Sequence, residues 1–175
     1  MFTKLFNLFI AIFLIFTSMS FAQSNRWSIA LKSSYFGDQS QISNQITAID
    51  NPISFGMQLQ FFPGENLAFQ YSVETMSGKT QKPKGNELNV QSSFAFVAYP
   101  IEFWRFRPYL TQGLVWGRQN NNGVAASKSS VYYEFGIGTE FILSGNLFSS
   151  MATKLYSDGL NYHGLSTSLS FGYRF

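Results

Sequence analysis

The stretch Leu165-Ser166-Thr167-Ser168-Leu169-Ser170-Phe171-Gly172-Tyr173-Arg174-Phe175 decides the fold. Leu165, Thr167, Leu169, Phe171, Tyr173 and Phe175 alternate with Ser166, Ser168, Ser170, Gly172 and Arg174. Large or methyl-bearing side chains fall on one parity, and small or polar ones fall on the other. A period of two is the mark of a strand with two chemically different faces.

The same period recurs upstream and predicts eight strands, at 26–36, 53–62, 67–76, 88–99, 107–118, 131–143, 147–156 and 165–175. In the second, Ile53, Phe55, Met57, Leu59 and Phe61 oppose Ser54, Gly56, Gln58 and Gln60. In the sixth, Val131, Tyr133, Phe135, Ile137, Phe141 and Leu143 oppose Glu134, Gly136, Gly138 and Glu140. Two strands are less regular. Gln112 sits on the parity of Leu110, Leu114 and Trp116, and Phe148 and Tyr156 share the polar parity of Lys154.

The connections alternate long and short. Long ones fall at 37–52, 77–87, 119–130 and 157–164, and short ones at 63–66, 100–106 and 144–146. Pro63-Gly64-Glu65-Asn66 and Ser144-Gly145-Asn146 carry tight-turn chemistry, while Gly37-Asp38-Gln39-Ser40 and Asn120-Asn121-Asn122-Gly123 are polar loop tips. Short turns at one end and longer loops at the other are what a transmembrane barrel requires. An even strand number puts both termini on the short-turn side.

Alternation does not say which face points outward. A soluble ligand-binding barrel holds its apolar side chains inside. Here the polar parity carries Ser, Gly, Gln and isolated charges, too few to solvate an outer surface. Charged residues make up 12% of the chain, against roughly 25% in an ordinary globular domain, and aromatic residues make up 18%. The apolar parity is therefore expected to face lipid. Trp27, Tyr35, Phe61, Tyr109, Trp116, Tyr132, Tyr133, Tyr156, Tyr173 and Phe175 lie near strand ends and are expected to form the interfacial girdles. Hydrocarbon tolerates no open sheet edge, so the first strand should pair with the eighth. The inward charges are then Lys32, Glu74, Glu134, Glu140, Lys154 and Arg174. The basic residues are expected on one wall, with Glu74 well away across the lumen.

Residues 1–22 have the pattern of a secretory signal: Lys4, an apolar run over 5–16 broken by Asn7, and a small-residue exit with Ser20 and Ala22. Residues 23–175 are expected to form one barrel domain. Its 153 residues carry a net charge of +2, with no basic stripe for nucleic acid. There is no cysteine for disulfides or thiolate metal sites.

Together with the signal segment and the connection pattern, Arg107-Pro108-Tyr109-Leu110 and the ending Leu169-Ser170-Phe171-Gly172-Tyr173-Arg174-Phe175 resemble the small eight-stranded outer-membrane barrels of the OmpA/OmpX-like class. The resemblance spans the whole mature region. It implies an all-β, eight-stranded antiparallel up-and-down transmembrane barrel in the outer membrane of a Gram-negative cell. It also implies that Tyr173 and Phe175 are read by the outer-membrane insertion machinery, and that the other partners are outer-membrane lipids. A monomer is expected.

Some barrels of this size modify lipid A. His163, the only histidine, lies near Asp158, Ser157 and Ser166, the residue types of a nucleophilic triad, but Asp158 and His163 fall in a predicted external loop. The resemblance to lipid A deacylases fails residue by residue, since Leu155 stands where their His-x-Ser-Asn segment needs histidine. Glu134 and Glu140 lie six residues apart on one strand, about 20 Å, too far for a glycosidase pair. Gly136-Ile137-Gly138 is expected to relieve inward crowding rather than cradle phosphate. Asp38, Asp50 and Asp158 are too dispersed for calcium, and Lys79, Lys82 and Lys84 are expected to form a solvated loop face, with contact to lipopolysaccharide phosphates as the alternative. The sequence assigns no catalytic, cofactor-binding or metal-ligating residue. It points to a non-enzymatic barrel with a filled lumen acting through its external loops. A small pore and a lipid A-modifying enzyme are the alternatives.

Overall fold

The computed structural model describes residues 26–37, 49–80, 89–119, 129–158 and 161–175. The signal segment at 1–22, the loop tips at 38–40 and 120–123, Leu88, Lys82 and Lys84 lie outside these ranges. Eight strands follow in chain order: β1 Trp27–Phe36, β2 Ile49–Gly64, β3 Leu67–Thr80, β4 Asn89–Ala98, β5 Phe106–Gln119, β6 Ser129–Ser144, β7 Leu147–Ser157 and β8 Tyr162–Arg174. Each pairs antiparallel with its sequence neighbours, and β8 returns to β1, closing the barrel. Closure runs in unbroken register from Ser28 opposite Arg174 to Phe36 opposite Ser166. The last rung is backbone to backbone: the Trp27 N–H donates to the Phe175 carbonyl at 3.0 Å, and the Phe175 N–H to the Trp27 carbonyl at 2.7 Å. The sheet is closed on itself, which is what lets it cross hydrocarbon.

The alternation sorts side chains as expected. Leu31 (67% exposed), Ile137 (66%) and Leu169 (62%) stand on the outer face, where water would oppose their exposure by about 1.5–3 kcal/mol each. They belong to a continuous apolar belt, far larger than a soluble monomer presents. The barrel is therefore transmembrane, with lipid as the solvent of that belt.

Several strands run beyond the expected limits. β2, β3 and β6 extend toward the long loops, whereas two of the short connections tighten to Glu65–Asn66 and Gly145–Asn146. Gly145 takes φ 52°, a conformation that costs glycine little. The third short connection, residues 99–105, is bulkier. It closes through paired backbone hydrogen bonds between Phe103 and Phe106, with Trp104 at φ 56°.

Three aromatic residues expected in the girdles turn inward instead. Tyr132 and Tyr156 are 3% and 2% exposed, and Tyr109 packs on a buried cluster in the lumen. Proximity to a strand end suggested an interfacial position, but strand parity decides the direction. Trp27, Tyr35, Trp116, Tyr133, Tyr173 and Phe175 do face outward. Phe148 and Tyr156, the two aromatic residues on the polar parity of β7, fill the interior. Gln112 also keeps to parity and faces lipid.

His163, assigned to a loop by sequence, belongs to β8. A register shift between Tyr156 and Ser157, opposite Gly164 at φ 138°, turns two successive residues inward, and His163 is buried. A glycine at positive φ beside such an irregularity gives the sequence no period-two signal.

Candidate functional site

The interior of the barrel is where the polar chemistry collects. An eight-stranded barrel is only wide enough for side chains to fill. From the long-loop end to the short-turn end the lumen is layered.

At the long-loop end Phe36, Met76, Val115, Tyr132 and Tyr156 form one buried apolar cluster. The Phe36 and Tyr156 rings stack at 5.9 Å between centroids. Contributed by β1, β3, β5, β6 and β7, these side chains form a roof across the lumen at that end.

Two ion pairs lie below it. Lys32 Nζ meets Glu74 Oε1 at 2.5 Å, and the other Glu74 oxygen accepts from the Ser34 hydroxyl at 2.6 Å and the Ser54 hydroxyl at 2.5 Å. Lys32, Gly56 and Glu74 occupy one rung of the sheet across β1, β2 and β3. Because Gly56 has no side chain, Lys32 and Glu74 meet over it; a Cβ there would fall 2.8 Å from Glu74 Cγ. This corrects the expectation that Glu74 stands across the lumen from the basic residues. The second pair is Lys154 Nζ to Glu134 Oε1, at 2.8 Å. Each of these four charges is almost fully buried. Pairing and hydroxyl donors therefore have to replace the water they have lost.

The middle of the lumen holds small residues and short hydrogen bonds, such as Ser72 to Ser93 at 2.7 Å. Gly136 and Gly138 face inward as expected, and the Tyr109 ring lies over Gly138 where a Cβ would stand.

At the short-turn end Glu140 is shared. Arg174 Nη2 donates to its Oε1 at 2.6 Å and Arg107 Nη1 at 3.4 Å, while the Tyr99 hydroxyl donates to Oε2 at 3.4 Å. Arg107 also reaches Glu102 at 3.2 Å and the Glu65 carbonyl at 2.7 Å, tying two short turns across the opening. The Arg107 guanidinium stacks over Tyr99 at 4.4 Å and that of Arg174 over Phe62 at 4.5 Å. Planar, weakly hydrated guanidinium suits this aromatic surrounding better than an ammonium would. Arg107 was missing from the expected inward charges. The parity shared by Leu110, Leu114 and Trp116 places it inside, but Gln112 masked that signal.

The triad candidates are only partly brought together. His163 Nε2 lies 2.8 Å from Asp158 Oδ2, without the alignment of a hydrogen bond, and its ring meets Tyr132 edge-on at 4.9 Å. His163 Nδ1 has no hydrogen-bond partner among the described residues. The Ser166 hydroxyl is hydrogen-bonded to the Tyr156 hydroxyl at 2.8 Å instead. Asp158 Oδ1 accepts the Asn161 N–H at 2.8 Å, which closes the local turn. A base aligned with a hydroxyl nucleophile is the arrangement acyl transfer needs, and Ser166 does not supply it. Glu134 and Glu140 sit in different layers, Glu134 paired with Lys154 and Glu140 shared by Arg107 and Arg174.

No family model matches the chain, and no curated relative matches it. Solved structures do. The N-terminal β-barrel domain of Pseudomonas aeruginosa OprF aligns with TM-score 0.62 and 14% identity, over 86% of this chain and 98% of that one. Neisserial surface protein A aligns with TM-score 0.60 and 13% identity, over 85% and 95%. The outer membrane protein OprG from Pseudomonas aeruginosa aligns with TM-score 0.61 and 12% identity, over 87% and 97%. Identities this low speak to the fold alone. That fold is the small eight-stranded barrel of outer-membrane proteins, as the terminal alternation predicts.

Proposed function

We propose that the protein is a non-enzymatic integral barrel of the Gram-negative outer membrane, delivered by a cleaved signal segment. Its long loops face outward and carry a structural or surface-interaction role. One observation supports this reading: buried side chains gather at both ends of the lumen, in the Phe36–Tyr156 cluster and in the shared Arg107–Glu140–Arg174 network. A filled interior leaves the outer surface and the loops to do the work. The interior charges act as structural pairs rather than as a transport path.

Phe175 and Tyr173 fit the role of assembly signal, since both stand on the outer face of the closing strand. The lipid A-modifying alternative has one specific observation in its favour, the approach of Asp158 to the buried His163.

The test joins location to chemistry. Outer-membrane fractions are run on gels with and without boiling, and lipid A from cells with and without the protein is compared by mass. The proposal expects a heat-shifted band in the outer membrane and unchanged lipid A. A purely soluble protein overturns it, as does an acyl change in lipid A that His163→Ala abolishes.

A further inference from the structure

Gln112 is out of place. On the outward parity of the eight strands it is the only amide or charged side chain between the level of Phe106 and the level of Trp116, among the described residues. It is exposed, and no described residue hydrogen-bonds to its carboxamide. Hydroxyl side chains on this face can return to the backbone, as the Thr75 hydroxyl does to the Phe55 carbonyl at 3.2 Å.

Depth makes this more than a surface polar residue. Gln112 is four residues from Trp116 and six from Phe106, both outward aromatic residues near the ends of the β5 span. At about 3.4 Å per residue and a tilt of about 45°, it lies about 10 Å below one aromatic level and about 14 Å above the other. These distances fit the ~25 Å apolar band of such barrels and put the carboxamide near mid-bilayer. An amide left unpaired in hydrocarbon carries a penalty of several kcal/mol.

The surroundings of Gln112 are apolar and recessed. Gln112 pairs with Phe96 on one side and Phe135 on the other. It lines the middle of an open groove of about 620 Å³ that runs across the lipid face from Asn66 and Leu67 at the start of β3 to Leu165 of β8. Phospholipid chains can fill the groove, but their oxygens remain at the interface and not at mid-depth. A protein surface can bring a hydrogen-bonding group to that level. A carboxamide, which both donates and accepts, is complementary to itself.

We propose that the β4–β5–β6 face is a contact between two copies of this chain. The two copies are related by a twofold axis along the membrane normal, and their Gln112 carboxamides hydrogen-bond to each other in the lipid-buried interface. A twofold axis brings the same residue of both copies to the same depth, so no second sequence signal is needed. Polar side chains are an established means of joining segments within a bilayer. This departs from the expectation of a monomer, and it rests on the transmembrane fold rather than on the loop-mediated role.

The chain has no cysteine, so single introduced thiols report cleanly. Leu114→Cys retains Gln112 and sits beside the proposed axis; Leu31→Cys marks β1, across the barrel. Both proteins are reconstituted at equal density in phospholipid vesicles and oxidised. The proposal expects several-fold more disulfide-linked dimer from Leu114→Cys than from Leu31→Cys. Adding Gln112→Leu to the Leu114→Cys chain should lower that yield about threefold, the factor equivalent to about 0.6 kcal/mol for one lipid-buried hydrogen bond. Gln112→Leu alone should keep the heat-shifted band, which separates lost contact from lost folding. Equal yields at the two positions overturn the proposal. So does a Leu114→Cys yield that Gln112→Leu leaves unchanged, which would assign the groove to lipid or to a different partner.

Discussion

The two ends of the lumen solve the same problem differently. Near the long loops, charge is held in discrete one-to-one pairs, Lys32 with Glu74 and Lys154 with Glu134, under an apolar roof. Near the short turns, Arg107 and Arg174 share Glu140 and rest on aromatic rings, with Glu102 reaching in from the rim. Lysine is a compact, strongly hydrated point charge, so a buried lysine needs a dedicated carboxylate. Arginine offers a planar fork that divides its donors and stacks. The difference teaches where the barrel is brittle: a pair fails when either member is lost, whereas a shared network can redistribute.

The sharpest way to break this contrast is Glu74→Gln. It leaves the Lys32 ammonium buried without its carboxylate and should cost about 3–5 kcal/mol, read as a lower urea midpoint for loss of the heat-shifted band. Lys32→Met added to that variant should recover most of the loss, because the pair would then be absent rather than broken. Failure of the second change to help would show that Glu74 matters for something other than its partner. Next in size is Phe36→Ala, which should lower stability by about 3 kcal/mol by cutting a hole in the roof. The short-turn network should remain intact, so Arg107→Met should cost the same with or without it. Arg174→Met should cost less than Glu74→Gln, about 1.5–3 kcal/mol, because Arg107 still reaches Glu140. A loss as large as that of Glu74→Gln would erase the distinction between paired and shared charge. Smallest of all is Glu102→Gln. Its side chain is 57% exposed, and the change should shift the urea midpoint by less than about 1 kcal/mol equivalent.

The fold was legible because period two is a local property. Each strand's register against lipid can be read from its own residues, and connection lengths supply the up-and-down order. The pairing of the first strand with the eighth followed from the physics of hydrocarbon. The interior was less legible, because its contacts depend on rungs that cross three strands. The Lys32–Glu74 pair needs Gly56 between them, and no reading of β1 or β3 alone reveals that rung. Tyr132 and Tyr156 show the opposite case: their own parity places them inside, although they lie near strand ends. His163 could not have been placed from alternation, since the irregularity at Gly164 suspends the period there. Gln112 hid Arg107 by breaking the pattern of β5, and the same break is what singles it out on the lipid face.

Closure of both ends of the lumen by packed side chains can be tested electrically. The purified barrel is reconstituted at single-molecule level in a planar lipid bilayer, and current is recorded across a range of applied voltage. A side-chain-filled lumen should give no steady conductance above the bare membrane. A stable, large single-channel conductance in the unaltered protein would contradict it.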